Sequence, residues 1–404
     1  MQKKPEQAGE ITEILAWCKS VSKEEIQKLP FRKPVFEGID NRFLLTQAAC
    51  YQLAKKKLPA IWKEGKLIFP DKTAAEQCSA EWIAEIRLSL LPRRFQYWAD
   101  TTAGLGVDSI YAAPFVSSGC LFETDAARVN CLIDNLLRLD MHLFRVEESG
   151  FEAYLEKNPD FLNGDTLVYA DPDRRPEKEG GRKVSWKDSE PGLDFIYQQA
   201  KAAGAGLLVK FSPLEDLEEV LNHFPGATSS WVISIRNEVK ELLVFLDPAT
   251  GGPATRNFAM DIRQSHDYEL IELPGFSGHL PEVRAEAAQY LLDPLAAMRK
   301  GFQSFGWAAA QGYSCISRKG QLFTASVKPA VFPGRVFRIE GVFDDLKSLL
   351  ASAGHRSFHV VARGFPQSAE DLQKKFKLQG DDVHFLFAIR SGENKNVFIF
   401  AVRE

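Results

Sequence analysis

The sequence predicts an α/β fold: a sheet of seven strands, the last one antiparallel, with helices before it and a small α+β domain after it. Three observations predict it. From Phe95 to about Asp247, short apolar runs alternate with stretches whose apolar residues recur at helical spacing, the pattern of parallel βαβ units. The last two runs are separated only by residues 236–240, too few for a crossover, so the final strand must return as a hairpin. From Arg335 a fresh strand–helix–strand–helix–strand–strand pattern begins.

A chain of 404 residues exceeds one compact core, and the composition shifts divide it into a helical region at 1–94, a sheet domain at 95–272, a connector domain at 273–333 and a last domain at 334–404. In the first region apolar residues fall at helical spacing over 10–29, 41–58 and 74–91, with Pro30, Pro34 and Pro92 as breaks. Strands are expected at 95–100, 119–123, 143–147, 166–171, 205–211, 230–235 and 241–247, and helices near 107–115, 126–139, 151–156, 193–203 and 214–223. Residues 281–311 read as helical, with Leu291, Leu292, Leu295, Met298 and Phe302 on one face, and 321–326 as extended. The last domain reads as strands at 335–341, 357–363, 383–390 and 396–402, with helices at 344–353 and 368–376.

A net charge of −4 and a pI near 6.1 exclude a surface that is basic all over, so a nucleic-acid partner needs a local patch. The six cysteines are scattered, with no C-x-x-C pair and no histidine at metal spacing; reduced thiols and no metal site are expected. No run of about 18 apolar residues occurs and no apolar stretch follows the amino terminus, which predicts a cytoplasmic protein without membrane contact. The oligomeric state is left open.

The candidate site centres on FQYWADTTAGLG at 95–106, an apolar strand ending in Asp100, then a turn of small residues. Gly104 and Gly106 admit backbone angles closed to other residues, and with Thr102 and Ala103 they let main chain approach a ligand at a helix N-terminus. Glu123 ends the second strand, where a carboxylate accepts ribose hydroxyls; Glu148 follows the third, placed for an adenine amino group, and Asp171 ends the fourth. Plainer readings exist for each: a ligand-free turn, an exposed pair at Glu147-Glu148, a turn former at Asp171 before Pro172, and a helix cap at Asp125. If a base amine is the nucleophile, the Asp171 carboxylate and the Pro172 carbonyl suit its two hydrogens. The loop at 173–192 holds six Lys/Arg, among them Arg174 and Arg175, and Trp186, which together suit a phosphate backbone and a stacked base. Its five acids equally suit a solvated loop. In the last domain Arg356, Arg363, Lys374, Lys375 and Lys377 are candidates for an RNA-facing patch, and His355, His359 and His384 read as structural.

The residues resemble a family. DTTAGLGVD at 100–108 is similar to motif I of class I S-adenosylmethionine (SAM) methyltransferases related to the bacterial ribosomal RNA guanine-N2 enzymes. Glu123 is similar to their motif II acid, Glu148-Ser149 to the third-strand acid and Asp171-Pro172 to motif IV, although Asp173 and Arg174 stand where base-amine enzymes carry a proline and an aromatic. The stretch 335–404, with ARGFP and AEDL, looks like a THUMP-like domain, and residues near 275–330 like the small ferredoxin-like insert beside it. The resemblance implies a Rossmann-like fold, SAM as cofactor, held by Asp100, Thr102, Ala103, Gly104, Gly106, Glu123 and Glu148, and an RNA substrate, tRNA or rRNA. The reversed hairpin agrees with this sheet rather than with the dinucleotide type. A nicotinamide-dependent oxidoreductase and a non-catalytic RNA-binding protein are the alternatives.

Overall fold

The computed structural model describes residues 5–172, 186–250, 255–264, 267–274, 280–284, 286–392 and 394–404. Its contacts divide the chain into two units, Met1–Phe211 with Phe245–Gly251, and Ser212–Val244 with Gly252–Glu404.

The first unit opens with six helices: α1 Pro5–Ser20, α2 Lys23–Lys28, α3 Asn41–Lys57, α4 Pro59–Glu64, α5 Lys72–Gln77 and α6 Glu81–Arg87. Two of the expected helices are broken in two, each for a local reason. Ser22 and Glu25 form a capping box, the Glu25 N–H donating to the serine hydroxyl and the Ser22 N–H to the glutamate, both at 3.2 Å, so a new helix starts there. Asp71 caps α5 through the Ala74 N–H at 2.7 Å, and that helix is over by Cys78. Leu15, Cys18, Leu44, Ala48, Tyr51, Leu58 and Phe69 from these helices and their connections share one buried core with Leu105, Val107 and Ile110 of the glycine turn and its helix.

The alternation then runs as β1 Tyr97–Asp100, α7 Val107–Ala112, β2 Ser118–Glu123, α8 Ala126–Arg138, β3 Phe144–Glu148, α9 Phe151–Lys157, β4 Thr166–Ala170, α10 Leu193–Ala203 and β5 Gly206–Phe211. These strands are parallel in the order β3-β2-β1-β4-β5, so their carboxyl ends lie along one rim.

The second unit holds α11 Leu217–His223, β6 Ala227–Ile235 and most of β7 Glu238–Leu246. Between β6 and β7 stand only Arg236 and Asn237, at φ 50° and 64°, the two-residue turn whose positive angles reverse the chain as the spacing predicts. Two strands are present beyond the expected seven, β8 Arg256–Gln264, parallel to β6, and β9 Asp267–Leu273, antiparallel to β8. Buried polar residues hide β8 from a hydrophobicity pattern. Asn257 takes the Ser230 hydroxyl at 2.7 Å, and Asp261 takes the Ser234 hydroxyl at 2.5 Å and the Asn237 N–H at 2.8 Å.

The chain continues as β10 Tyr290–Pro294, α12 Ala296–Arg299, α13 Gln303–Ala310, β11 Ser314–Ser317, β12 Leu322–Ala325, β13 Gly334–Phe343, α14 Leu346–Ala353, β14 His359–Arg363, α15 Ala369–Phe376, β15 His384–Arg390 and β16 Asn396–Arg403. The last-domain elements match the expected pattern, but of the helix expected over 281–311 only the part from Ala296 to Ala310 is helical, and β10 stands before it. Leu291 and Leu292 sit on β10 and enter two different cores, one on each face, as strand alternation requires. A short apolar run carries no period that separates helix from strand.

The second sheet, in the order β11-β12-β10-β13-β16-β15-β14, joins connector and last-domain strands. It curls until its first edge meets the end of β15: the Ser317 hydroxyl donates to the Arg390 carbonyl at 2.7 Å and the Gly392 N–H to that of Ile316 at 3.0 Å. Leu291, Phe337, Val361, Phe385 and Ile399 fill the inside of the curl, while α14 and α15 cover the outside through Leu349 and Leu372. No helix among the described residues is long and apolar enough to cross a membrane.

Candidate ligand site at the carboxyl rim

The turn after β1 is fastened on every side but one. The Thr101 N–H and hydroxyl both donate to the Tyr169 carbonyl at 3.0 Å, the Ala103 N–H donates to the Phe122 carbonyl at 3.0 Å, and the Asp171 N–H to the Thr102 hydroxyl at 2.9 Å. The ends of β1, β2 and β4 are thus tied to one turn. Gly104 and Gly106 take φ 51° and 78°, and a Cβ on Gly106 would stand 2.4 Å from Leu132 Cδ1, so a side chain there would strain the backbone and displace Leu132. A Cβ on Gly104 would meet nothing nearer than a carbonyl at 3.9 Å. That flank is open.

It opens onto a cavity of about 950 Å³ lined by residues 101–108, by Glu123, Thr124 and Asp125 after β2, by Ser149, Gly150, Phe151 and Glu152 after β3, and by Asp171 after β4. Glu123 spends one oxygen on the N–H groups of Thr124 and Asp125, at 2.8 and 2.9 Å, and its other oxygen has no hydrogen-bond partner among the described residues. Asp125 caps α8 through the Arg128 N–H at 2.9 Å. Its plainer reading holds.

Residues 334–403 match the family model described as THUMP domain-like. A crystal structure from Porphyromonas gingivalis W83, provisionally described as a methyltransferase, is 21% identical, aligns over 100% of both chains and superposes with a TM-score of 0.84. The chain has a methyltransferase fold that ends in a THUMP-like domain. A SAM-dependent methyltransferase from Agrobacterium tumefaciens aligns over 42% of this chain and 63% of its own at 12% identity, TM-score 0.31. An rRNA methylase from Streptococcus thermophilus aligns over 41% of this chain and 92% of its own at 14% identity, TM-score 0.28. No curated protein matches the sequence.

Within this methyltransferase fold, Thr102, Ala103, Gly104, Gly106, Glu123 and Asp171 line the cavity, and Asp100, Glu148, Pro172 and Trp186 do not. Asp100 is 1% exposed and lies behind the turn, where it accepts the Thr102 N–H at 3.1 Å and the Ser109 hydroxyl at 2.6 Å; it shapes the turn rather than lining the cavity. Glu148, the last residue of β3, is exposed and outside the lining, and Ser149 and Glu152 stand there instead. Trp186 is buried and packs edge-on against Phe211, so it is a core residue and has no free face for a base. Pro172 is half-buried at the end of the described stretch; Arg174 and Arg175 lie outside the described residues.

The structure adds residues that the strand-end reasoning missed. Ala74, Gln77, Cys78 and Ser79, from the helical region before the sheet, form one wall of the cavity. Behind it Arg87, 2% exposed, pairs with Asp108 and donates to the Tyr169 hydroxyl at 2.7 Å and to Ser79 at 3.1 Å, while Ser79 donates to Asp108 at 3.0 Å. Lys210 of β5 makes an ion pair with Asp171. A signal for it existed: Lys210 is the one charge in the apolar run GLLVKF.

Burial pushes the Asp100 carboxyl up to about 7; the Ser109 hydroxyl and the Thr102 N–H pull it down, and Asp108 and Asp171 add to the rise. A carboxyl raised on folding contributes stability below the unfolded carboxylate range and loses it as pH climbs towards 7. Asp100→Asn, neutral throughout, is therefore expected to gain in melting temperature relative to the parent between about pH 4 and about pH 8. A difference that stays flat over that range would remove burial of charge as the cause.

Proposed function

We propose that this protein is a SAM-dependent methyltransferase acting on RNA, tRNA or rRNA, in the cytoplasm. The observation that carries the reading is one cavity in a methyltransferase fold, bordered by an open glycine turn and by an acid at the neighbouring strand end. The residues present fit the donor. The N–H groups of Gly104 and Leu105 have no acceptor among the described residues and suit its polar end, and Glu123 offers an oxygen to a ribose diol. Bound there, SAM supplies an electrophilic methyl group on a sulfonium. Such a transfer asks little acid–base work of the protein and much alignment. Asp171, fixed by Lys210, and the Pro172 carbonyl are the groups we assign to holding the nucleophile. RNA as substrate rests on the match of residues 334–403 and on the association of THUMP domains with RNA modification. The four stretches 1–94, 95–272, 273–333 and 334–404 are the domain division that goes with this reading.

Melting curves with SAM and with NAD separate the cofactors. SAM at about a hundred times its dissociation constant is expected to stabilise the protein by about 2.7 kcal/mol, and NAD by nothing measurable. Transfer of tritium from labelled SAM to RNA then tests the reaction; RNA that binds but never takes label would leave a non-catalytic RNA-binding protein.

A further inference from the structure

At one end of the curled second sheet the inward-facing residues change from apolar to charged. Strand alternation carries the inner face from Leu291 to Asp293 on β10, from Phe337 to Arg335 on β13 and from Val361 to Arg363 on β14. Asp293 is 1% exposed, and three guanidinium groups converge on it. Arg335 donates to Oδ2 at 2.6 and 3.1 Å, Arg299 of α12 to Oδ1 at 3.0 Å, and Arg363 reaches both oxygens at 3.1 and 3.2 Å. The three arginine side chains are only 18, 24 and 19% exposed, in the order Arg299, Arg335, Arg363.

One carboxylate against three guanidinium groups leaves two positive charges in excess, in a place largely withdrawn from water. Buried charge of that kind is held only where something opposite in sign offsets it. The donors are also not used up: Nη1 of Arg363 is buried and has no hydrogen-bond partner among the described residues. The crowding shows in Arg299, whose pKa burial lowers to about 10, with Arg363 and Arg335 acting in the same direction against Asp293.

We propose that Arg299, Arg335 and Arg363, organised by Asp293, form a binding site for a phosphate group at the end of the curled sheet. Planar guanidinium forks held by a shared carboxylate suit a phosphate, which offers several acceptor oxygens and the missing negative charge. The group is either free phosphate or phosphate carried by a polynucleotide. The inference is independent of the methyltransferase reading, since its residues contribute nothing to the cavity at the rim.

The test is calorimetric titration of the 404-residue protein with inorganic phosphate against chloride at equal ionic strength. The parent is expected to show one saturable phosphate site, and Arg363→Gln, folded by circular dichroism, to bind about tenfold more weakly. No saturable phosphate binding by the parent, or equal affinity in Arg363→Gln, overturns the proposal. If Arg363→Gln does not fold, Arg299→Gln takes its place with the same expectation. Competition assigns the source once the site is found. Displacement by an oligoribonucleotide with a 5′-phosphate but not by its 5′-hydroxyl form marks a terminal phosphate, displacement by both marks the backbone, and by neither, free phosphate.

Discussion

Asp171→Asn is expected to slow methyl transfer by about 10²–10³-fold while leaving SAM affinity within about threefold of the parent. The expectation follows from where the side chain sits. Asp171 borders the cavity just past β4, its N–H is spent on Thr102, and its carboxylate is held by Lys210, so it is aimed and charged independently of any ligand. The asparagine keeps the size of the side chain and the backbone bond but removes the charge that would localise a nucleophile's lone pair. Single-turnover kinetics with tritiated SAM measure the first quantity and calorimetry the second. Loss of SAM affinity as large as the loss of rate would reassign Asp171 to the cofactor, and Lys210→Met should follow the same pattern if the pair acts as a unit.

Arg87→Met is expected to cost about 3–5 kcal/mol of folding stability, because it leaves Asp108 without its cation next to an apolar core. Urea unfolding reads this directly. The same change is expected to weaken SAM binding, since Ser79 and Asp108 form part of the cavity wall and both are held by Arg87. Arg87→Met combined with Asp108→Asn should recover a large part of the stability, the sign of a coupled pair. A cost below about 1 kcal/mol for the single change would mean that the pair is spectator to the fold.

Local periodicity carries a long way in this chain. The βα units, the reversed hairpin at Arg236-Asn237 and the six elements of the last domain all rest on patterns within a few residues of one another. The glycine turn was legible for the same reason: the constraint on Gly106 is its own backbone angle plus one neighbour, Leu132. Where a buried strand carries polar residues, as β8 does at Asn257 and Asp261, the pattern fails, because those residues are satisfied by Ser230, Ser234 and Asn237 from a strand and a turn distant in sequence.

Strand period and turn chemistry are local properties, and they suffice to put acids at the ends of successive parallel strands around a glycine turn. The folded structure selects which of those acids meet a common cavity. Glu123 and Asp171 do, Asp100 is drawn behind the turn by Ser109, and Glu148 is left outside. It also decided that Trp186 is spent on the core and that three arginines from separate elements meet at Asp293. Side-chain destination depends on packing and ion pairing between segments tens of residues apart, and no short-range pattern encodes those partners.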